Sequence, residues 1–423
     1  MIFEPQSLLD HAVTLGIITP QVIRQAGPVR GTIALLKLLF VFCRLPLPHL
    51  DSLDSFLLIL TLCEKNNKKV PKATLQLVWT RYLTARKNRP LYVQQANIAE
   101  DLALRLLRWS AVNLHPRVLR AVTDRPAAAQ VIKWRAYRNG WTKYDEQVEE
   151  KVLEEGPEKT EGIWVRHDRT KRHDIILLYI HGGGYAVLSA KFYLEFQLAV
   201  QSSLLEAGYE NPAIFSLDYT LAPDKHFPGQ LNEAVLAYKE VLAAADPDTK
   251  ICVGGDSAGG MLTLTLLQEL AARKLRDEPL RHPDLGLLIS PWVTLKTHLH
   301  RRSSLDYIQP DTLARFAELY TGGGGVGLYQ APASPGSCQD EGIWEAARPG
   351  RGYIVTYGEE EGLADDIKYL IQHQKSRGTE VRVLMDAGGV HVWPVVSLQF
   401  CTTKERRVLG IQSIVREIRS ALA

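Results

Sequence analysis

The stretch Ile251-Cys252-Val253-Gly254-Gly255-Asp256-Ser257-Ala258-Gly259-Gly260-Met261 changes character in its middle. Its first residues form a short apolar run, as a buried strand requires. After Gly260, the run MLTLTLLQELAARK has helical spacing. Between the two lies G-x-S-x-G, the tight strand-to-helix turn known as a nucleophile elbow. Bulky neighbours would clash in such a turn, so Gly255 and Gly259 leave room. The turn projects the Ser257 hydroxyl outward, and the N-terminus of the next helix favours nearby negative charge. The pentapeptide alone reads equally well as an ordinary glycine-rich turn, so its surroundings decide.

Upstream, the apolar run Ile175 to Ile180 (IILLYI) reads as a strand buried on both faces, and His181-Gly182-Gly183-Gly184 comes directly after it. Ester hydrolysis passes through a tetrahedral oxyanion that needs converging backbone N–H groups. Glycines let the main chain approach without Cβ interference. The N–H groups of Gly183, Gly184 and Ala258 are the candidates for that role. A phosphate cradle does not fit, because the spacing matches neither G-x-G-x-x-G nor a Walker A loop. His181 precedes the serine and reads as structural.

Similar strands are expected at Ala213 to Leu217, Ile251 to Val253, Leu285 to Ile289, Tyr353 to Thr356 and Val381 to Met385. Helices are expected near Lys191 to Ala207, Gln230 to Ala245, Ala258 to Arg276, Leu363 to Ser376 and Glu405 to Leu422. The alternation predicts an α/β chain with a doubly wound, mostly parallel sheet and helices on both faces. Reactive groups then belong at the carboxyl ends of the strands.

An elbow serine is succeeded in the chain by an acid and then a histidine. His282, His298, His300, His373 and His391 come after Ser257; His282 is before a strand, His298 and His300 lie in a polar loop, His373 sits in a helical pattern, and His391 stands in a strand-end loop after VRVLM. It is the expected base. The acid should lie just after YIVTY, where Glu359, Glu360, Glu361, Asp365 and Asp366 compete. Glu361 is the first choice, Asp365 the second and Glu360 the third. Helix N-terminal charge accounts for the others.

These residues resemble the hormone-sensitive lipase group of α/β-hydrolases, from about Ile175 to the C-terminus. The resemblance rests on His181 to Gly184, on Asp218-Tyr219-Thr220-Leu221-Ala222-Pro223 with Phe227-Pro228, on Gly255 to Gly260, on Ser290-Pro291-Trp292 and on His391. Glu361-Gly362-Leu363-Ala364-Asp365 fits the family's D-x-L-x-D frame, with Glu in the first place. Thr220, where the family usually has Arg, and Trp393 also depart from the pattern. The resemblance implies a Ser257–His391–acid triad, supported by His181, Gly182, Gly255, Asp256 and Gly259. It implies an esterase without metal or other cofactor. The long form also resembles fungal steryl acetyl hydrolases and related pathway deacetylases, which implies a lipophilic ester as substrate. A ligand receptor on the same fold, an amide hydrolase and a transacylase stay open as alternatives.

The first 150 residues carry no obvious chemistry and read as a helical cap, with the catalytic domain over 151–423. Within them Thr32 to Cys63 is dense in apolar residues, but Lys37, Arg44, Pro46, Pro48, Asp51 and Asp54 divide it into short runs. Two short helices that pack as a lid or lie at a membrane interface are expected. Eight basic residues between Glu64 and Arg89 would suit anionic headgroups. Charge-rich Asp145 to Gly162 reads as a boundary or surface segment. With 50 Lys and Arg against 47 Asp and Glu, the net charge of +3 gives no footing for nucleic acid. Five widely spaced cysteines and no secretory leader pattern fit an intracellular setting, either the cytoplasm or the endoplasmic reticulum surface. Oligomeric state is not legible.

Overall fold

The computed structural model describes residues 2–26, 79–123, 125–323 and 325–423. The apolar stretch expected to form a hairpin at 32–63, and the basic residues up to Lys72, lie outside them. No helix among the described residues is long and apolar enough to cross a membrane.

Eight strands form one sheet: β1 Val148–Glu155, β2 Glu158–Arg166, β3 Ile175–Ile180, β4 Ala213–Asp218, β5 Lys250–Asp256, β6 Leu285–Ile289, β7 Tyr353–Gly358 and β8 Val381–Asp386. Their order is β1-β2-β4-β3-β5-β6-β7-β8. The strands from β4 to β8 run parallel, while β1 and β2 are antiparallel to their neighbours. β3 is buried at every position, as expected of a parallel strand covered on both faces. Its side chains alternate between two cores. Ile176, Leu178 and Ile180 pack with Phe215 and Val253 beneath helices α6 (Gly229–Ala244) and α7 (Ala258–Leu275). Ile175, Leu177 and Tyr179 pack with Ile214 and Cys252 beneath α5 (Leu194–Glu206) and α11 (Lys404–Leu422).

The segment Asp145 to Gly162 is a correction. It is largely β1 and β2, a hairpin that turns at Gly156 with a φ of 59°. β1 is the edge strand, and its Glu149, Glu150, Lys151, Glu154 and Glu155 discourage pairing with another chain. The expected division at 150/151 falls inside β1.

Before the sheet come α1 (Leu8–Ala26), α2 (Ile98–Asn113), α3 (Pro116–Thr123) and α4 (Arg125–Arg138). A buried ionic network joins them to the sheet domain. Asp10 of α1 meets Arg135 at 3.2 Å and Arg138 at 2.7 Å, both on α4. Arg135 and Arg407 then share Glu195 of α5, at 3.1 and 2.6 Å. Removing one partner of such a buried pair strands a charge, at a cost of about 3–5 kcal/mol.

Later come α8 (Pro310–Thr321), α9 (Ala364–Ser376) and α10 (Trp393–Phe400). The glycine run expected as a loop at 321–327 starts with Gly322, which caps α8 at a φ of 74°.

Candidate active site

Ser257 sits between β5 and α7 at φ 51°, in the left-handed region that few non-glycine residues adopt. The turn presses on the end of β3. A Cβ on Gly259 would stand 2.0 Å from the Ile180 carbonyl oxygen, and one on Gly255 would stand 2.3 Å from the same atom. Both glycines are therefore needed for this close approach. Among the described residues, six non-glycine residues have positive φ. Five of them (Tyr185, Leu188, Ser257, Ser290 and Val392) lie on the turns around the serine, and strain of this kind collects at functional sites.

The HGGG turn lies beside the elbow because β3 and β5 are paired, with Ile180 opposite Gly255. Gly183 has φ 101°, and a Cβ there would stand 2.1 Å from the Val187 carbonyl oxygen. Gly184 has φ 58°, and Phe316 of α8 fills the place of its Cβ. The N–H groups of Gly183, Gly184 and Ala258 donate to no acceptor among the described residues. Free donors on two adjacent turns can bind an oxyanion.

Asp256 holds the two turns together. Its Oδ1 accepts the Gly182 N–H at 3.0 Å and the Tyr179 hydroxyl at 2.7 Å, and its Oδ2 accepts the Tyr193 hydroxyl at 2.7 Å. Burial pushes its carboxyl up to about 6, against the pull of these donors and of His391. His181 is fully buried, donates from Nδ1 to the Gly182 carbonyl at 2.7 Å and stacks on Tyr219. Burial lowers its pKa to about 4, so the ring is neutral at neutral pH. Asp218, 3.7 Å from His181 Nε2, is paired with Arg125 at 2.6 Å.

His391 stands in the loop between β8 and α10, with Nε2 2.8 Å from Ser257 Oγ. Its Nδ1 lies 3.5 Å from Glu361 Oε2, an ion-pair distance longer than a good hydrogen bond. Such contacts are often loose without substrate. Ser290 Oγ donates to Glu361 Oε2 at 2.7 Å and accepts the Val392 N–H at 2.9 Å, which ties Glu361 to the loop that carries His391. Burial would lower the pKa of His391, but Glu361, Asp306 and Asp256 outweigh it and hold the imidazole above its ordinary value. Glu361 is fully buried. Asp365, the second choice, is half-exposed beside Arg301 and Lys368. Glu360, the third, is partly exposed.

The structure thus brings Ser257, His391, Glu361, Gly183, Gly184 and Ala258 together and leaves Asp365 outside. Sequence reasoning missed Ser290 as the brace and Asp306 altogether. Ser290 opens a motif that had already drawn attention, whereas no local signal marks Asp306.

Residues 177–395, more than half of the chain, match the family described as alpha/beta hydrolase fold. An acetyl-hydrolase of Streptomyces hygroscopicus is 30% identical over 234 residues, covering 54% of this chain and 71% of that protein. Hormone-sensitive lipase of Bos taurus is 33% identical over 129 residues, covering 30% of this chain but only 16% of the lipase. The crystal structure of an esterase from the bacterial hormone-sensitive lipase family superposes with a TM-score of 0.56 at 26% identity, covering 78% of this chain and 99% of that one. The chain belongs to the hormone-sensitive lipase group of α/β-hydrolases.

Proposed function

We propose that this protein is a carboxylic ester hydrolase in which Ser257 is the nucleophile, His391 the general base and Glu361 the triad acid. The observation that carries the reading is the 2.8 Å contact between His391 Nε2 and the hydroxyl of a serine held at φ 51°. His391 takes the Ser257 proton as Oγ attacks the acyl carbon. The carbonyl oxygen gains negative charge and is met by the N–H groups of Gly183, Gly184 and Ala258. His391 passes the proton to the leaving alcohol. Water then repeats the sequence on the acyl-enzyme and frees the acid. Glu361 fixes the imidazole tautomer and supports the imidazolium.

The finer reading is deacetylation of a lipophilic alcohol, supported by the likeness to the Streptomyces acetyl-hydrolase. Residues 1–150 are proposed to act as the cap. In support, Arg120 of α3 donates to the Ala186 carbonyl at 2.7 Å and pairs with Asp224 at 2.7 Å. Thr123 accepts the Leu188 N–H at 3.1 Å and the Ser189 hydroxyl at 3.2 Å. The helical region thereby grips the chain just beyond HGGG. Binding of residues 32–63 to a membrane surface is a further proposal, which flotation with anionic vesicles checks.

The decisive experiment is hydrolysis of p-nitrophenyl acetate, butyrate and decanoate by the purified protein beside Ser257→Ala. Serine-dependent turnover that favours acetate supports the deacetylase reading. A folded wild type no more active than Ser257→Ala would overturn the esterase reading and favour a ligand receptor or a narrow amide substrate.

A further inference from the structure

Asp306 lies in the long segment between β6 and α8, and it is fully buried. Its Oδ1 accepts the backbone N–H of His391 at 3.2 Å. Its Oδ2 accepts the backbone N–H of Gly362, the neighbour of Glu361, at 2.8 Å. One carboxylate therefore spans the loop that carries the base and the loop that carries the acid. Its own turn is well fixed. The Asp306 N–H donates to Ser303 Oγ at 3.0 Å, and Gln309 Nε2 donates to the Asp306 carbonyl at 2.9 Å. Arg108 of α2 donates to the Ser304 carbonyl just before it.

A buried carboxylate is costly unless its lone pairs are met by donors. Two of the donors here are main-chain groups of the residues that must stay aligned with Ser257. We propose that Asp306 is a positioning residue, which locks the His391 and Glu361 loops in register and adds a second negative charge beside the imidazolium formed during catalysis. This rests on the esterase reading above. The charged groups facing this centre are Glu361 from the acid loop, Asp256 from the end of β5 and Arg108 from α2, with the Tyr307 ring 5.6 Å from the imidazole. Burial raises the Asp306 carboxyl to about 6, against the pull of His391 and its two backbone donors, so it is ionised at neutral pH.

Asp306 acts during the attack on the ester. The Ser257 proton moves to His391 Nε2, the electron pair of Oγ forms the bond to the acyl carbon, and the imidazole becomes cationic. Both carboxylates then stabilise that cation. In Asp306→Asn one acceptor becomes an amide NH2 that faces an N–H group, and the negative charge is lost. A displacement of about 1 Å in catalytic geometry can cost about 100-fold.

The test is the full chain of Asp306→Asn assayed on p-nitrophenyl acetate, with the fold checked by circular dichroism. The expected result is a fall in kcat of about 10- to 100-fold, with KM nearly unchanged. The acid limb of kcat/KM should move to lower pH, because the imidazolium has lost a neighbouring anion. A folded variant whose acid limb stays in place, whatever its rate, overturns the proposal. Asp306→Glu keeps the charge on a longer arm. It should lower kcat while leaving the limb in place, and a wild-type kcat there also overturns the proposal. Ser257→Ala, run alongside, separates the two readings. If it keeps the wild-type rate, the esterase reading itself fails, independently of Asp306.

Discussion

On the proposed oxyanion side of the site, the candidate groups come from two contiguous stretches, His181 to Gly184 and Gly255 to Gly259, that follow or end strands which are hydrogen-bonded neighbours. On the proposed acid–base side, Ser290, Asp306, Glu361 and His391 come from loops spread across about a hundred residues and are tied by side-chain hydrogen bonds, three of them to backbone N–H groups. The first half is built mainly from backbone, and its geometry comes from Gly183 and Gly184 at positive φ, from β3–β5 pairing and from the Asp256 carboxylate that ties the two turns. The second half is built from buried hydrogen bonds that exist only in the folded chain. Tolerance should differ accordingly. The oxyanion side fails when a Cβ is added, whereas the acid–base side fails when a polar atom is removed.

The largest expected effect lies in the acid–base half. His391→Ala should lower kcat by about 10⁴- to 10⁶-fold in a steady-state assay on p-nitrophenyl acetate, since it removes the ring nitrogen 2.8 Å from the Ser257 hydroxyl. Next comes Glu361→Gln, with a loss of up to about 10⁴-fold through the wrong imidazole tautomer. Asp365→Asn, tested beside it, should leave kcat unchanged, because its half-exposed carboxylate pairs with Arg301 and Lys368 and not with His391 among the described residues. A reversed order of these two variants would transfer the acid role.

The oxyanion half is tested by Gly183→Ala. The added Cβ would sit 2.1 Å from the Val187 carbonyl oxygen, so the turn must shift. A loss of about 10²- to 10³-fold in kcat on p-nitrophenyl acetate is expected for one misplaced donor. The smallest effect is a shift of pH dependence. His391 must be neutral to act as a base, and its pKa is raised above the ordinary 6.5. The acid limb of kcat/KM should therefore have its midpoint above 6.5, with activity falling as pH drops through it.

The same contrast explains which parts of the molecule are legible in the sequence. β3 and β6 stand where the apolar runs Ile175 to Ile180 and Leu285 to Ile289 place them, because strands buried on both faces need unbroken apolar residues. β5 extends from Lys250 to Asp256, past the expected Val253, since Gly254 and Gly255 stay in the strand instead of breaking it. β1 and β2 escaped notice because an edge hairpin tolerates many Glu and Lys residues, which look like a solvated boundary. HGGG and GDSAGG are legible because their chemistry is local. Asp306 is not, because its partners are backbone N–H groups 56 and 85 residues away, and a backbone N–H has no residue identity to read. Glu361 stands between these cases. Its position after a strand narrows the choice to a few carboxylates, and burial against Ser290 then distinguishes it from Asp365.

The proposed mechanism turns on Ser257 being a nucleophile activated by His391. Diethyl p-nitrophenyl phosphate reacts with such serines to leave a stable phosphoryl adduct, which peptide mass spectrometry locates. One adduct is expected on the peptide containing Ser257, formed in step with loss of esterase activity and absent from His391→Ala over the same time. Full inactivation with the adduct on another residue, or an active enzyme whose Ser257 peptide stays unmodified, would contradict that role.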